Sequence, residues 1–368
     1  MTSHEPITPS TPSAAASTGK LCYVTGATGF VGSHVAELLK ARGNRVRLLV
    51  RSRSRLHKEL QEGYEIAEGS LEDAPDKLAE GLKGVDYVYH VAGLIGATKQ
   101  AEFDRVNVEG TSNIISAIDK SGTTPRRLLL VSSLASIGPA ESPDKPVRED
   151  DKPQPRTMYG LSKLVGEQLA WQKCRGLNIP LTSVRPPAVY GPRDKGIFEF
   201  FKYMAKGMEV GIGSKKEPRW LDLIHGRDLA RGIVMAAESE RAEGEAYFIT
   251  DEGKHDIREL MRILREAMQP AKQSSFYAPV WLVKVVAKFN DVLQGVTGKV
   301  RLPNSDKLGE LLPNCWVCSG EKAREHFGFK AEISLSEGIA DTARWYEEQG
   351  WVKVKRKPGQ KPGWAQTE

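Results

Sequence analysis

Cysteine is scarce in this chain, with four residues (Cys22, Cys174, Cys315 and Cys318) among 368. That is too few for a disulfide scaffold. Cys315 and Cys318 stand at CxxC spacing, but no second pair and only scattered histidines accompany them. A structural zinc normally takes four ligands, so no metal is expected. The pair does not open a helix after a thioredoxin-like strand either, which argues against a redox role. Long apolar runs are also missing. The stretch Phe276–Phe289 is mostly apolar, but Lys284 and Lys288 interrupt it, and it falls short of the roughly 20 residues that span a bilayer. The N-terminus has neither the basic start nor the apolar run of a secretory signal, and the reading is an intracellular, reduced, cytoplasmic protein. Nor is there a strong excess of one charge. Lys and Arg number 53 against 47 Asp and Glu, a balance of +6, too mild at this length to imply nucleic acid.

What is present is ordinary globular composition, 40% hydrophobic and 27% charged, enough for two or three domains. Residues 1–19 are dominated by Ser, Thr, Pro and Ala without apolar periodicity, and a disordered leader is expected there. Residues 352–368 are basic and rich in Pro and Gly, and read as a flexible tail. Between them, short β-branched runs alternate with helical ones, the pattern of a parallel sheet with crossover helices. The spacing predicts strands at Leu21–Thr25, Arg45–Val50, Tyr87–Val91, Arg127–Ser132 and Leu181–Arg185, with a last one at Ala246–Thr250. Frequent Pro and Gly after Arg185 mark inserted material that forms a smaller lobe.

The first strand runs into Thr25-Gly26-Ala27-Thr28-Gly29-Phe30-Val31-Gly32, a GxxGxxG turn ahead of a helix expected at Ser33–Ala41. Such glycines permit a tight turn, admit a pyrophosphate close to the backbone, and let helix and strand pack. Arg51 lies 19 positions after Gly32, with Ser52 and Arg53 beside it. An acidic residue near this point would accept from the ribose 2′-hydroxyl of NAD, whereas an Arg accommodates a 2′-phosphate. NADP(H) is therefore the preferred cofactor and NAD(H) the alternative.

Tyr159 and Lys163 stand four apart on a helical stretch, hence on one face with about 5–6 Å between Cβ atoms. A phenol needs a downward shift of about 3 units to exchange protons near neutrality, and a neighbouring ammonium supplies part of it. Ser132 and Ser133 end a strand at the sheet edge where ligands bind in open α/β folds.

Together these residues resemble the extended short-chain dehydrogenase/reductase family, which contains the NAD-dependent epimerases and dehydratases, 3β-hydroxysteroid dehydrogenases and dihydroflavonol reductases. His90-Val91-Ala92-Gly93 is similar to its HxA segment, Asn107-Val108-Glu109-Gly110-Thr111 to its NVxGT helix, Arg185–Pro192 to its RPxxVYGP turn, and Ile224–Ala230 to its IHVxDLA return. The resemblance implies a Rossmann doubly wound parallel sheet over 20–185 plus 221–250, and a smaller C-terminal α/β substrate lobe over 186–220 plus 251–351. It further implies that Tyr159 is the acid/base and also contacts the cofactor, and that Lys163 binds the nicotinamide ribose. Ser133, five residues before Gly138, matches the catalytic hydroxyl, and Asn107 would help to position Lys163. Gly26, Thr28, Gly29, Phe30, Val31, Gly32, Arg51, Leu71, Ala92 and Pro186 would complete the cofactor site. A homodimer through two helices per subunit is common in the family.

Departures from the pattern narrow the reaction. Epimerases and dehydratases tend to hold NAD with an acidic residue after the second strand, where this chain has Val50 and Arg51. Dehydratases carry an Asp–Glu pair after the catalytic Ser, where Leu134 and Ala135 stand and move no proton. Epimerases commonly place an Arg three residues before the IH pair; here that position is Leu221. The first reading is an NADP(H)-dependent oxidoreductase acting on a largely apolar small molecule, with residues 276–296 as an amphipathic helix over the substrate and peripheral membrane contact as its alternative. A nucleotide-sugar epimerase is the second reading. A cofactor-sensing protein without catalysis is the third, although its usual mark, loss of the Tyr or Lys, is missing.

Overall fold

The computed structural model describes residues 19–365. The expected leader 1–19 lies, but for Gly19, outside the described residues. The chain builds β1 (Leu21–Thr25), α1 (Phe30–Ala41), β2 (Arg45–Val50), β3 (Glu65–Glu68), α2 (Pro75–Leu82), β4 (Tyr87–His90), α3 (Gln100–Asp104), α4 (Gly110–Lys120), β5 (Arg127–Val131), α5 (Met158–Leu177) and β6 (Leu181–Val184). It continues with β7 (Ala188–Tyr190), α6 (Phe198–Ala205), β8 (Met208–Ile212), β9 (Trp220–Leu221), β10 (Leu223–His225), α7 (Gly226–Glu238), β11 (Ala246–Tyr247), β12 (His255–Asp256) and α8 (Ile257–Met268). The remainder is β13 (Ser274–Ala278), α9 (Val280–Thr297), α10 (Leu308–Leu311), β14 (Cys315–Trp316), α11 (Glu321–Phe327) and α12 (Leu335–Glu348).

Seven parallel strands form the central sheet in the order β11-β6-β5-β4-β1-β2-β3. Its central strands are apolar on both faces, as burial between two helical layers requires. In β1, Cys22 and Val24 pack against α1 and α7, while Leu21 and Tyr23 pack against α2, α4 and α5. The strand order reverses between β1 and β4, and the crevice above their C-terminal ends is where such sheets bind ligands.

The predicted strands are all present, four of them shorter at their C-terminal ends: Val91, Ser132, Arg185 and Phe248–Thr250 lie outside them. Helix α1 starts three residues earlier than expected, because the glycine turn leads directly into it. Strand β3 was not expected. It is an edge strand of sequence Glu-Ile-Ala-Glu with no apolar run, and it is held by cross-strand pairs of Glu65 with Arg45 and Arg47 at 2.6 and 2.7 Å.

The smaller lobe has its own core of α6, α8 and α12, including Phe201, Leu264, Ile339 and Tyr346. Two boundaries differ from the sequence reading. Ala323 and Phe329 pack into the core beside the main sheet, so α11 returns to the larger domain. The basic stretch expected as a flexible tail packs on the lobe up to the last described residues. Val352 is buried, Arg356 pairs with Glu347 at 2.5 Å, and Trp364 Nε1 donates to Glu347 at 3.1 Å.

Helix α9 buries Val283, Ala287 and Gln294 and turns Trp281, Val285, Phe289, Val292 and Val296 outward. At 100° per residue these five fall within one stripe of about 80°. Among the described residues no helix is long and apolar enough to cross a membrane.

Candidate active site

The turn between β1 and α1 is shaped by two glycines. Gly26 has φ +80°, and a Cβ there would lie 2.8 Å from the Ala92 nitrogen; one on Gly32 would lie 2.3 Å from the Gly26 carbonyl oxygen. The cradle is backbone on every side. No side chain caps α1 at Gly29, so its first N–H groups face outward as an anion site. Thr28 and Gly29 are exposed, Phe30 and Val31 half-buried. This geometry fits a dinucleotide pyrophosphate. Arg51 is exposed at the end of β2, Leu71 is buried against α4, and the Ala92 N–H donates to Thr25 Oγ1 at 3.1 Å.

His90 wires the floor of this site. Its Nδ1 lies 2.8 Å from Thr25 Oγ1 and its Nε2 lies 3.0 Å from Thr111 Oγ1. Burial, with the Lys163 charge nearby, holds its imidazole down to about 3, so the ring is neutral.

Helix α5 starts at Met158 with Thr157 as its cap, the Thr157 hydroxyl accepting from the Gly160 N–H at 3.1 Å. This start places Tyr159 in the first turn, facing Ser133. Ser133 itself caps the short turn Leu134–Ser136 by accepting from the Ala135 N–H at 3.1 Å. Ser132 points inward and is 3% exposed. Burial pushes the Tyr159 phenol up to about 12; its hydrogen bond with Ser133 opposes this and the Glu310 carboxylate adds to it. The Lys163 ammonium donates to the Val131 carbonyl at 2.7 Å, and burial lowers it to about 8 against the pull of Glu167.

Asn107 sits in a π-helical turn, Arg105–Glu109. Its side chain accepts from the Leu94 N–H at 2.7 Å and donates to the Leu94 carbonyl at 3.0 Å and Ser162 Oγ at 2.9 Å. The bonded partner is thus the residue next to Lys163. Pro186 is buried, and its carbonyl accepts from the Leu134 N–H at 2.9 Å. Tyr159, Ser133, Lys163, Asn107 and Pro186 therefore converge at the C-terminal edge of β5 and β6.

Sequence reasoning missed three groups here. Glu167, 2% exposed, pairs with Arg185 at 2.9 Å and ties α5 to the end of β6. Asp306 and Glu310 reach Met158 and Thr157 from the smaller lobe. The Glu167 partnership had a signal, one helical turn after Lys163, but the other two lie about 150 residues from their partners and had none. Beside them lies a cavity of about 460 Å³, bordered by Glu102, Met158, Asp291, Gln294, Asn304 and Asp306 among others.

The sequence profile of the NAD dependent epimerase/dehydratase family matches residues 22–250, and the chain belongs to that family. It is an NAD(P)-dependent enzyme of the extended short-chain dehydrogenase/reductase type. A ceramide reductase from Caulobacter vibrioides is 29% identical over 89% of this chain and 95% of its own length. A 4-hydroxy-2-methyl-3-oxo-4-farnesyl-3,4-dihydroquinoline-1-oxide ketoreductase from Stigmatella aurantiaca is 27% identical over 86% and 94%. A UDP-glucose 4-epimerase from Vibrio cholerae is 25% identical over 88% and 95%. Among solved structures, that of gox2253 superposes with a TM-score of 0.71 at 28% identity, covering 91% of this chain and all of the other.

Proposed function

We propose that this enzyme interconverts a secondary alcohol and a ketone on a largely apolar substrate of steroid-, terpenoid- or flavonoid-like character, using NADP(H). The observation that carries the reading is the convergence of Tyr159, Ser133 and Lys163 beside the backbone cradle of Gly26–Gly32. Bound there, a nicotinamide dinucleotide supplies or accepts the hydride. Tyr159 gives the proton to the carbonyl oxygen during reduction and takes it back during oxidation. Ser133 orients that oxygen. Lys163 holds the ribose, and its positive charge then favours the phenolate. Asn107 fixes the turn against which Lys163 lies.

Two features favour an uncharged substrate over a sugar nucleotide. The cavity beside Met158 is bordered by Glu102, Asp291 and Asp306 with Lys99 as its one cation, a setting that repels a diphosphate. Two similar proteins are named as reductases, of a ceramide and of a farnesylated quinoline oxide. The epimerase reading keeps the support of the Vibrio relative. Arg51, exposed at the end of β2, is assigned to the 2′-phosphate.

The outer stripe of α9 is assigned to an anionic lipid surface. Lys284, Lys288, Lys299 and Arg301 accompany it against the single carboxylate Asp291, the pairing of apolar and basic residues that such surfaces attract. A homodimer would use α5, whose Leu161 and Val165 are exposed.

Calorimetric titration of the cofactor-stripped protein with NADPH and NADH tests the cofactor assignment. NADPH is expected to bind at least about tenfold tighter, roughly 1.4 kcal/mol, and Arg51→Asp to remove the preference. Tighter NADH binding, or NAD that resists stripping, would favour the epimerase.

A further inference from the structure

The smaller lobe touches the first turn of α5 through one short segment. Asp306 Oδ1 accepts from the Met158 N–H at 2.7 Å, and Glu310 Oε1 accepts from Thr157 Oγ1 at 3.2 Å. Between them Gly309 lies so close that a Cβ would fall 2.1 Å from the Arg156 carbonyl oxygen. The N–H groups of a first helical turn have no partner within the helix. Here Thr157 takes that of Gly160 and Asp306 takes that of Met158. Tyr159 is held between these two contacts.

The same segment is fastened to α9. Asp291 accepts from the Ser305 N–H at 3.1 Å, Asn290 donates to the Pro303 carbonyl at 2.8 Å, and Asn304 donates to Gln294 at 3.4 Å. Asp291, Gln294, Asn304, Asp306 and Met158 all border the cavity. A continuous set of contacts therefore runs from the cavity wall to the residue preceding Tyr159.

We infer that Asp306 and Glu310 are positioning residues for Tyr159, Asp306 holding the Met158 amide and Glu310 the Thr157 cap, so that the lobe fixes the first turn of α5 and brings a carboxylate to it. This rests on the reading of Tyr159 as the acid/base. The charged group acting on the phenol is Glu310; Lys307 is its ion-pair partner, Asp306 holds the Met158 N–H, the Lys163 ammonium points to the Val131 carbonyl, and Lys99 and Glu102 border the cavity from the α3 side. Lys307 is ion-paired with Glu310, yet Glu310 still acts to raise the Tyr159 phenol. The lobe would thereby bias the phenol toward the protonated form, the one that donates during reduction.

The test uses the full chain with NADP⁺ and needs no substrate. Tyrosine labelled at Cζ reports ionisation by NMR, with the Tyr159 resonance assigned by its loss in Tyr159→Phe. Glu310→Gln is expected to bring that ionisation to lower pH by about half a unit or more, and Glu310→Asp, which keeps the charge, to leave it near the original value. Labelling methionine with ¹⁵N follows the Met158 amide. Its hydrogen exchange is expected to rise about tenfold or more in Asp306→Ala and to return toward the original rate in Asp306→Asn. The inference is overturned if Glu310→Gln and Glu310→Asp move the phenol equally, if neither moves it, or if Asp306→Ala leaves Met158 exchange unchanged. Turnover by Tyr159→Phe tests the acid/base reading separately, so either can fail alone.

Discussion

The buried titratable residues of the candidate site carry protonation states that their surroundings impose. His90 is neutral because it is buried between two threonine hydroxyls, and a charge there would be desolvated beside Lys163. Its folded-state value of about 3 lies below the unfolded value near 6.5. The sign follows from proton binding: below pH 6.5 the unfolded chain takes up a proton that the folded chain refuses. Stability from this residue is thus complete above pH 6.5 and is lost as pH falls toward 3, by about 1.4 kcal/mol per pH unit. Urea unfolding of the native chain and of His90→Gln between pH 7 and 4 is expected to give a steeper decline for the native chain. Parallel declines would mean that His90 takes up its proton in both states. On the proposed acid/base role of Tyr159, Tyr159→Phe is expected to cut turnover by about a hundredfold or more while NADP(H) affinity changes little, since the phenylalanine keeps the ring beside the cofactor and removes only the hydroxyl that moves the proton.

At the level of elements, α5 is the part on which the site depends. Its start is fixed by Thr157 and Asp306, and its middle by the buried pair of Glu167 and Arg185. Removing one partner of a buried pair leaves the other charge desolvated. Glu167→Ala is expected to cost about 3–5 kcal/mol by chemical denaturation, and the double change Glu167→Leu with Arg185→Met to recover most of it. A single-variant cost under about 1 kcal/mol would show that water reaches the pair. The legibility of the sequence followed the same division. Strands apolar on both faces, such as Leu21–Thr25 and Arg127–Val131, announce themselves by composition. The edge strand β3 does not, because its pairing rests on Glu65 meeting two arginines. Tyr159, Lys163 and the glycine turn were legible since local spacing alone brings them into register. Asp306 and Glu310 were not, as only the fold of the lobe carries them to α5.

For the whole molecule, the smaller lobe meets the first turn of α5 through Asp306 and Glu310. The basic C-terminal stretch reads as a flexible tail from its Lys, Pro and Gly content, yet Arg356 and Trp364 both meet Glu347 on α12. Helix α9 turns one face to the cavity and to Leu308 of α10 and the other outward. Flotation with vesicles containing about 30% phosphatidylserine is expected to carry the protein upward at low salt. Trp281→Ser with Phe289→Ser is expected to abolish this while leaving NADP(H) affinity unchanged. Binding that survives both changes would place the contact elsewhere.

The most direct measurement of the reductase assignment is NADPH oxidation at 340 nm by the stripped protein, across a panel of steroid, terpenoid and flavonoid ketones and UDP-sugars. The expected result is stoichiometric conversion of NADPH and one class of apolar ketone, released as NADP⁺ and alcohol and suppressed in Tyr159→Phe. Interconversion of a UDP-sugar with NAD retained and no net cofactor turnover would contradict it.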